Sequence, residues 1–145
     1  MAWLGISLGL GVTSAVFPWF NAEVLLLSAA AGVTSTRELL LVVLGVTAGQ
    51  VAGKSAMYWG AWRASVQPTP RIRSFLIRWR ARVEARPSSA PALVFVSAAV
   101  GFPPPYLVTI AAGSLRMAFW PFLAATGIGR LLHFGILALL PAGLR

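Results

Sequence analysis

The chain has 145 residues, of which 58% are hydrophobic and only 10% charged, and its mean hydropathy is +0.80. Soluble domains have about 25% charged residues, so this composition indicates an integral membrane protein. The absence of cysteine excludes disulfides and thiolate chemistry, and one histidine with three acidic residues leaves little material for a metal cage or a catalytic triad. We therefore expect neither an enzyme nor a protein with a cofactor or a metal site.

The first apolar region, residues 2–33, is interrupted by the sequence FPWFN. Its two arms, residues 2–16 and 22–33, are shorter than the roughly 20 residues that a spanning helix needs. Proline breaks a helix, and a break at membrane depth requires surrounding protein or a water-filled cavity. We predict a re-entrant helix–break–helix hairpin with its break at Pro18 and Asn21, and one bent spanning helix is the alternative.

Two segments, residues 39–62 and 118–140, are long enough to cross a bilayer as plain helices. The first contains the motif GVTAGQVAG, whose glycines recur every four residues on one helix face. Ridges of small residues let helix backbones approach closely, so we predict helix packing here, within the chain or between copies. These glycines are Gly45, Gly49 and Gly53.

Between the two halves, residues 68–87 have the pattern of a basic amphipathic helix, with Thr69 as a candidate N-cap. Its apolar residues recur at helical spacing, and arginines occupy the other face. Because seven of the twelve basic residues of the chain lie between residues 63 and 86, we place residues 63–89 in the cytoplasm. We expect this helix to lie in the membrane interface and bind anionic headgroups, with a solvated helix that only sets topology as the alternative. The five arginines are Arg71, Arg73, Arg78, Arg80 and Arg82.

The net charge of +9 therefore reflects membrane topology, and we expect no binding to nucleic acid. The first basic residue is Arg37, so the N-terminal region lacks the positive segment of a cleaved signal peptide.

The second broken region, residues 91–113, contains FPPP and is predicted as a second re-entrant hairpin with its break at Pro103, Pro104 and Pro105. Both halves run from FP through Ala-Ala-Gly and a short polar turn to a spanning helix. With one crossing per half and a cytoplasmic linker, the second half is inverted relative to the first. The predicted fold is an all-α membrane protein, a single domain of two inverted repeats that the basic amphipathic helix joins, each repeat being a re-entrant hairpin plus a transmembrane helix. That arrangement is typical of transporters.

Four ionisable residues fall inside the predicted membrane segments, where charge is costly and usually marks a site. Burial of Glu23 just after the first break would favour its protonated form and make it a proton carrier, and a carboxylate that caps the helix is the alternative. Arg130, near the middle of its helix, is the candidate positive charge facing Glu23 or an anionic substrate, or else a structural ion-pair partner of Glu23. Lys54 stays open between an interfacial anchor and a site residue. For His133 we prefer a packing role over a proton relay.

The stretches FPWFNAEVLLLSAAAG and FPPPYLVTIAAGSLRMAFWPFLAATGIGRLLHF resemble the DedA/VTT (SNARE-associated) membrane family, especially its short YqaA-like members. The resemblance implies two re-entrant hairpins facing each other across a bacterial inner membrane. It also implies movement of anionic lipids or lipid-linked phosphates between leaflets, with proton coupling in some members. Glu23 matches the acid of the family's first hairpin, and Arg116 the basic position before Met. Larger members carry arginines at the second break, where this chain has Phe102 to Tyr106, and we assign that charge to Arg130.

The sequence thus predicts a transporter or flippase in which Glu23 titrates while Arg130 and Arg116 attract an anionic headgroup. For Arg116, in the turn after the second hairpin, simple anchoring is an equal alternative. A proton-coupled exporter of small molecules and a non-transporting scaffold are the alternative functions. We expect anionic membrane lipids as partners, and a homodimer, because two crossings seal a pathway poorly.

Overall fold

The computed structural model describes residues 2–16, 22–64 and 69–139, and in these ranges it contains seven α-helices and no strand. The prediction of an all-α chain is therefore confirmed for these residues. The helices are α1 (Ala2–Val16), α2 (Ala22–Ala31), α3 (Thr36–Arg63), α4 (Pro70–Ala85), α5 (Ser89–Val100), α6 (Pro105–Ser114) and α7 (Phe119–Leu139).

Helices α3 and α7 are the two long helices, and both are long and apolar enough to cross a membrane by length and composition. Their 28 and 21 residues correspond to about 42 and 32 Å at a rise of 1.5 Å per residue. Helix α3 begins three residues earlier than predicted because a reciprocal cap fixes its start. The Ser35 hydroxyl accepts the Glu38 N–H at 3.2 Å, and the Glu38 carboxylate accepts the Thr34 N–H at 3.2 Å.

Helix α1 packs on α3 with almost no side chain between the two backbones. A Cβ added at Gly49 would lie 2.2 Å from the Leu8 carbonyl oxygen and 2.8 Å from the Gly11 Cα. Residue numbers rise together along the contact, so α1 runs parallel to α3, and the predicted glycine face packs within the chain. The paired positions are Gly45 with Ser7, Gly49 with Gly11, and Gly53 with Ala15.

Helix α5 packs on α7 in a similar way. A Cβ added at Gly129 would lie 2.7 Å from the Ala98 Cβ and 2.9 Å from the Phe95 carbonyl oxygen. His133 lies four residues after Gly129, and it contacts the carbonyl oxygen of Ala99, which lies four residues after Phe95. Since both numbers again rise together, α5 runs parallel to α7.

The two long helices run antiparallel to each other. The Tyr58 and Phe122 rings stack with centroids 4.8 Å apart near one end, and Val46 and Phe134 share a buried cluster toward the other. Each long helix also contacts the short helix of the other half. Helix α6 meets α3 where Gly113 lies against the backbone of Tyr58, and α2 meets α7 through Leu26, which packs in the cluster that contains Phe134.

The second predicted break is present between α5 and α6. Gly101 ends α5 with a left-handed φ of 85°, and the Ser97 hydroxyl donates to the Pro103 carbonyl oxygen at 2.6 Å. Pro104 precedes α6 and Pro105 begins it, where a missing N–H has no helical acceptor to lose. The first break, with Pro18 and Asn21, lies outside the described residues.

The apolar stripe of α4 packs against the helix bundle. Trp79 is only 4% exposed and belongs to the buried cluster around Tyr58 and Phe122, and Phe75 and Leu76 pack against that cluster. Through these contacts the stripe closes the end of the helix bundle. Thr69 is the N-cap residue but makes no capping hydrogen bond with its side chain. The five arginines of α4 are exposed.

Substitution Gly49→Ala tests the close contact of α1 with α3. The added methyl group would meet backbone atoms that cannot move separately, so we expect a loss of about 1–3 kcal/mol in the free energy of unfolding. The apparent melting temperature of the detergent-solubilised protein, followed by circular dichroism, measures this.

Gly135→Ala is the matched control, since a Cβ there meets nothing within 4 Å. Alanine favours a helix over glycine by up to about 1 kcal/mol, so Gly135→Ala is expected to keep or raise the melting temperature. Equal melting temperatures for the two variants would contradict the packing described above.

Candidate functional site

A polar stripe runs along the middle of α3. Thr47, Gln50 and Lys54 are spaced i, i+3 and i+7, which places them on one face of the helix. All three are buried, with Gln50 2% and Lys54 4% exposed. Gln50 lies about 20 Å from either end of α3, so the stripe is centred on the middle of the helix.

A second polar stripe, on α7, lies at the same height. Thr126, Arg130 and His133 are spaced i, i+4 and i+7, and Arg130 is 8% exposed. Because α3 and α7 run antiparallel with Val51 beside Gly127, Arg130 lies level with Gln50. The two stripes therefore form one polar layer across the middle of the bundle, which we call the central cluster.

Glu23 joins the central cluster from the first turn of α2. Its Oε1 lies 2.9 Å from His133 Nε2, and His133 Nδ1 lies 2.8 Å from the Ala99 carbonyl oxygen. A carbonyl oxygen only accepts, so Nδ1 carries a hydrogen and donates it to Ala99. The contact between Nε2 and the carboxyl group then needs one further proton, bound to either the imidazole or the carboxyl group.

The charges of the central cluster do not balance. The Arg130 guanidinium interacts electrostatically with both the Glu23 carboxylate and the Lys54 ammonium group. Two buried basic side chains therefore lie in the central cluster with one carboxyl group, which is itself hydrogen-bonded to His133. Like charges buried together raise the free energy of the folded state, and an anion bound between them would lower it.

Three polar atoms of this layer are buried without a hydrogen-bond partner among the described residues. Gln50 uses its amide nitrogen to donate to the Ser14 hydroxyl of α1 at 2.7 Å, which leaves its oxygen unpaired. Buried polar groups are nearly always paired, so such atoms mark a place for water or a ligand. They are Thr47 Oγ1, Gln50 Oε1 and Arg130 Nε.

Lys54 lies beneath the second hairpin, away from the ends of α3. It lines a cavity of about 10 Å³ together with the hydroxyl-bearing residues Ser97, Thr109 and Thr126. This position places the ammonium group inside the protein and removes the interpretation of Lys54 as an interfacial anchor. Such a volume is close to the minimum of about 10–15 Å³ for one water molecule.

The cluster opens to the outside at Glu23. The Glu23 side chain is 47% exposed, whereas the His133 side chain behind it is 13% exposed. A ligand or water molecule that approaches at this height thus meets the carboxyl group first, then the imidazole.

The structure brings together four of the predicted site residues and leaves the fifth apart. Glu23, Lys54, Arg130 and His133 meet in the central cluster. Arg116 instead lies at the α4 end of the bundle, exposed, with its guanidinium carbon 5.5 Å from the Trp62 ring centroid. The five arginines of α4 lie on the helix that closes this same end.

Sequence reasoning missed Ser14, Thr47 and Gln50 as members of the central cluster. The signal was available in GVTAGQVAGK, where polar residues recur at helical spacing on a face that the three glycines do not occupy. Ser14 alone had no such signal, because its role depends on the parallel contact of α1 with α3.

Comparisons with protein-family models, with curated proteins and with solved structures gave no match to this chain. The resemblance to the DedA/VTT family therefore depends on the quoted motifs alone. Within residues 2–16, 22–64 and 69–139, no group of three or more His, Cys, Asp or Glu side chains is placed to hold a metal ion.

A double-mutant cycle of Glu23→Ala and His133→Ala tests the hydrogen bond between α2 and α7. Because the two side chains share one proton, we expect the double variant to lose less stability than the sum of the single variants, by about 1 kcal/mol. Thermal unfolding in detergent measures the difference. The control pair Glu84→Ala and His133→Ala should be additive, and additivity in both pairs would contradict the contact.

Thr47→Val tests whether the Thr47 hydroxyl is unpaired. Removing an unpaired buried hydroxyl with little change of shape should raise the free energy of unfolding by about 1 kcal/mol or more. Thermal unfolding without added ligand provides the measurement, with Thr13→Val as control, since that exposed hydroxyl donates to the Gly9 carbonyl oxygen. A lower stability of Thr47→Val would mean that the hydroxyl is paired after all.

Proposed function

We propose that the protein is a multi-pass protein of a bacterial inner membrane that moves an anionic lipid, or a lipid-linked phosphate, between leaflets. The observation that carries the proposal is the central cluster, in which the buried basic side chains of Lys54 and Arg130 lie together with Glu23 and His133. A phosphate group held there would supply the missing negative charge and hydrogen-bond acceptors.

The proposed topology consists of two inverted repeats. In each, we take the pair of shorter helices as a re-entrant hairpin, α1 with α2 and α5 with α6, and the long helix as the transmembrane segment. The parallel packing of α1 on α3 and of α5 on α7 supports these two hairpins. When two helices of one chain are parallel, the segment between them must run back in the opposite direction, and α2 and α6 are those segments. The antiparallel direction of α3 and α7 supports the inversion.

This topology puts the start of α2 and the end of α5 where a transport site is expected. Interrupted helices near the bilayer midplane are a recurrent way to bind substrates and ions. Glu23 lies in the first turn of α2, Ala99 is next to the last residue of α5, and His133 contacts both. We therefore place the headgroup path beside these residues.

The Glu23–His133 pair supplies a route for proton coupling in this proposal. One proton is shared between the carboxyl group and the imidazole, and the Arg130 guanidinium lies close enough to interact with the carboxylate. An arriving anion competes with the carboxylate for Arg130, so proton binding to Glu23 would release the guanidinium for the anion. Substrate and proton would then bind together.

A leaflet-exchange assay in reconstituted vesicles tests the proposed function, with labelled phosphatidylglycerol as the anionic lipid and labelled phosphatidylcholine as the neutral one. We expect Glu23→Gln and Arg130→Gln each to slow exchange of the anionic lipid tenfold or more. Arg86→Gln, an exposed position at the end of α4, is the control and should leave the rate unchanged.

Unchanged exchange in both cluster variants would end the proposal. A scaffold function predicts a different pattern, in which Gly49→Ala impairs the protein and Glu23→Gln is silent. Equal loss of exchange for the charged and the neutral lipid would also count against an anion site, since only the charged lipid needs the cations of the central cluster.

A further inference from the structure

Two adjoining grooves lie between α4 and the ends of α3 and α6, away from the central cluster. One, of about 330 Å³, is lined by residues that include Arg80, Glu84 and Arg116. The other, of about 340 Å³, is lined by residues that include Trp62 and Arg116. Because both are lined by Ser114 and Arg116, they form one continuous surface, which we call the α4 groove.

The outer part of the α4 groove is the part at Ser114 and Arg116. It carries a positive charge without an acidic partner in the described ranges. Arg80 is paired with Glu84, whose Oε1 lies 2.8 Å from the arginine Nε. Arg116 forms no such ion pair with any residue in the described ranges, and its guanidinium lies over the Trp62 ring instead. The Ser114 hydroxyl is the neighbouring hydrogen-bonding group. This end of the groove suits a phosphate-bearing headgroup.

The inner part of the α4 groove is apolar. Ile110 lies one helical turn before Ser114, about 6 Å further from the end of α6, and it lines the groove with Ile72 and Leu76. An inorganic phosphate ion would use only the outer part and leave this apolar surface exposed. A molecule with a charged head and a hydrocarbon tail would cover both parts.

Aromatic side chains mark this end of the bundle as the level of a membrane interface. Trp59 is partly exposed and Trp120 is 75% exposed, and both contact the Phe119 ring. Tryptophan is enriched at membrane–water interfaces, and basic residues concentrate on the cytoplasmic side. Together with the exposed arginines of α4, this belt puts the groove where headgroup and acyl chain meet.

We infer that the α4 groove binds one molecule of an anionic phospholipid, with its phosphate at Arg116 and Ser114 and an acyl chain along Trp62, Leu76 and Ile110. The inference rests on the proposed membrane location but not on transport. This lipid site is separate from the central cluster, since Arg116 and Arg130 lie at different heights in the bundle.

Binding of short-chain phosphatidylglycerol to the purified full-length protein in a neutral detergent tests the inference, with native mass spectrometry or calorimetry as readout. We expect phosphatidylglycerol to bind at least tenfold more tightly than phosphatidylcholine of the same chain length. Arg116→Gln should weaken the binding of phosphatidylglycerol about tenfold and leave the binding of phosphatidylcholine unchanged. Glu84→Gln should tighten phosphatidylglycerol a few-fold, because it frees Arg80.

Arg86→Gln is the matched control, as this exposed arginine at the end of α4 lines neither groove. It should change the affinity less than twofold. Ile110→Ser tests the apolar part of the groove and should weaken the binding of both lipids. This variant keeps the inference testable if Arg116→Gln disturbs folding. Circular dichroism and gel filtration identify any variant that does not fold.

Equal effects of Arg86→Gln and Arg116→Gln would overturn the inference, because they indicate diffuse attraction to a charged helix. Displacement of the lipid by equimolar inorganic phosphate would also overturn it. Glu23→Gln should leave this binding intact, so a failed leaflet-exchange test with intact lipid binding contradicts only the proposed function. Lost lipid selectivity with intact exchange contradicts only the α4 groove.

Discussion

The backbone contact of α1 with α3 at Gly11 and Gly49 is the constraint on which the other arrangements depend. With no side chain between them, the two helices are held parallel and in one register, which brings Ser14 within 2.7 Å of Gln50. A parallel partner also requires the chain to return between α1 and α3, and α2 lies on that return. Glu23 reaches α7 because of this path.

The central cluster is costly for a chain with so few charged residues. Burying an ion takes several kcal/mol, which only good partners restore, and the central cluster buries Lys54 beside Arg130. The rest of the same layer adds Thr47 and Gln50 with unpaired oxygens. A purely structural core would be more stable with leucine or alanine at these positions. The central cluster is therefore more consistent with a role in binding a ligand than with a role in stabilising the fold.

The elements that could be predicted from the sequence are those governed by local rules. Residues 39–62 and 118–140 were long apolar runs, and the second break was marked by three prolines, so their helices lie close to the expected bounds. The glycine face of α3 was predicted to pack against another helix, but the sequence did not identify which helix. The residues that it contacts, Ser7, Gly11 and Ala15, belong to a helix with no strong polar pattern.

What could not be predicted depends on tertiary contacts. The apolar stripe of α4 has the same spacing whether it faces lipid or protein, and only the cluster around Tyr58 decides between them. His133 was expected to pack, and its bonds to Glu23 and Ala99 arise from residues 110 and 34 positions away. The imidazole thus tethers the start of α2 to the last turn of α5. Separating the imidazole from one of these two helices would leave the other helix hydrogen-bonded to α7.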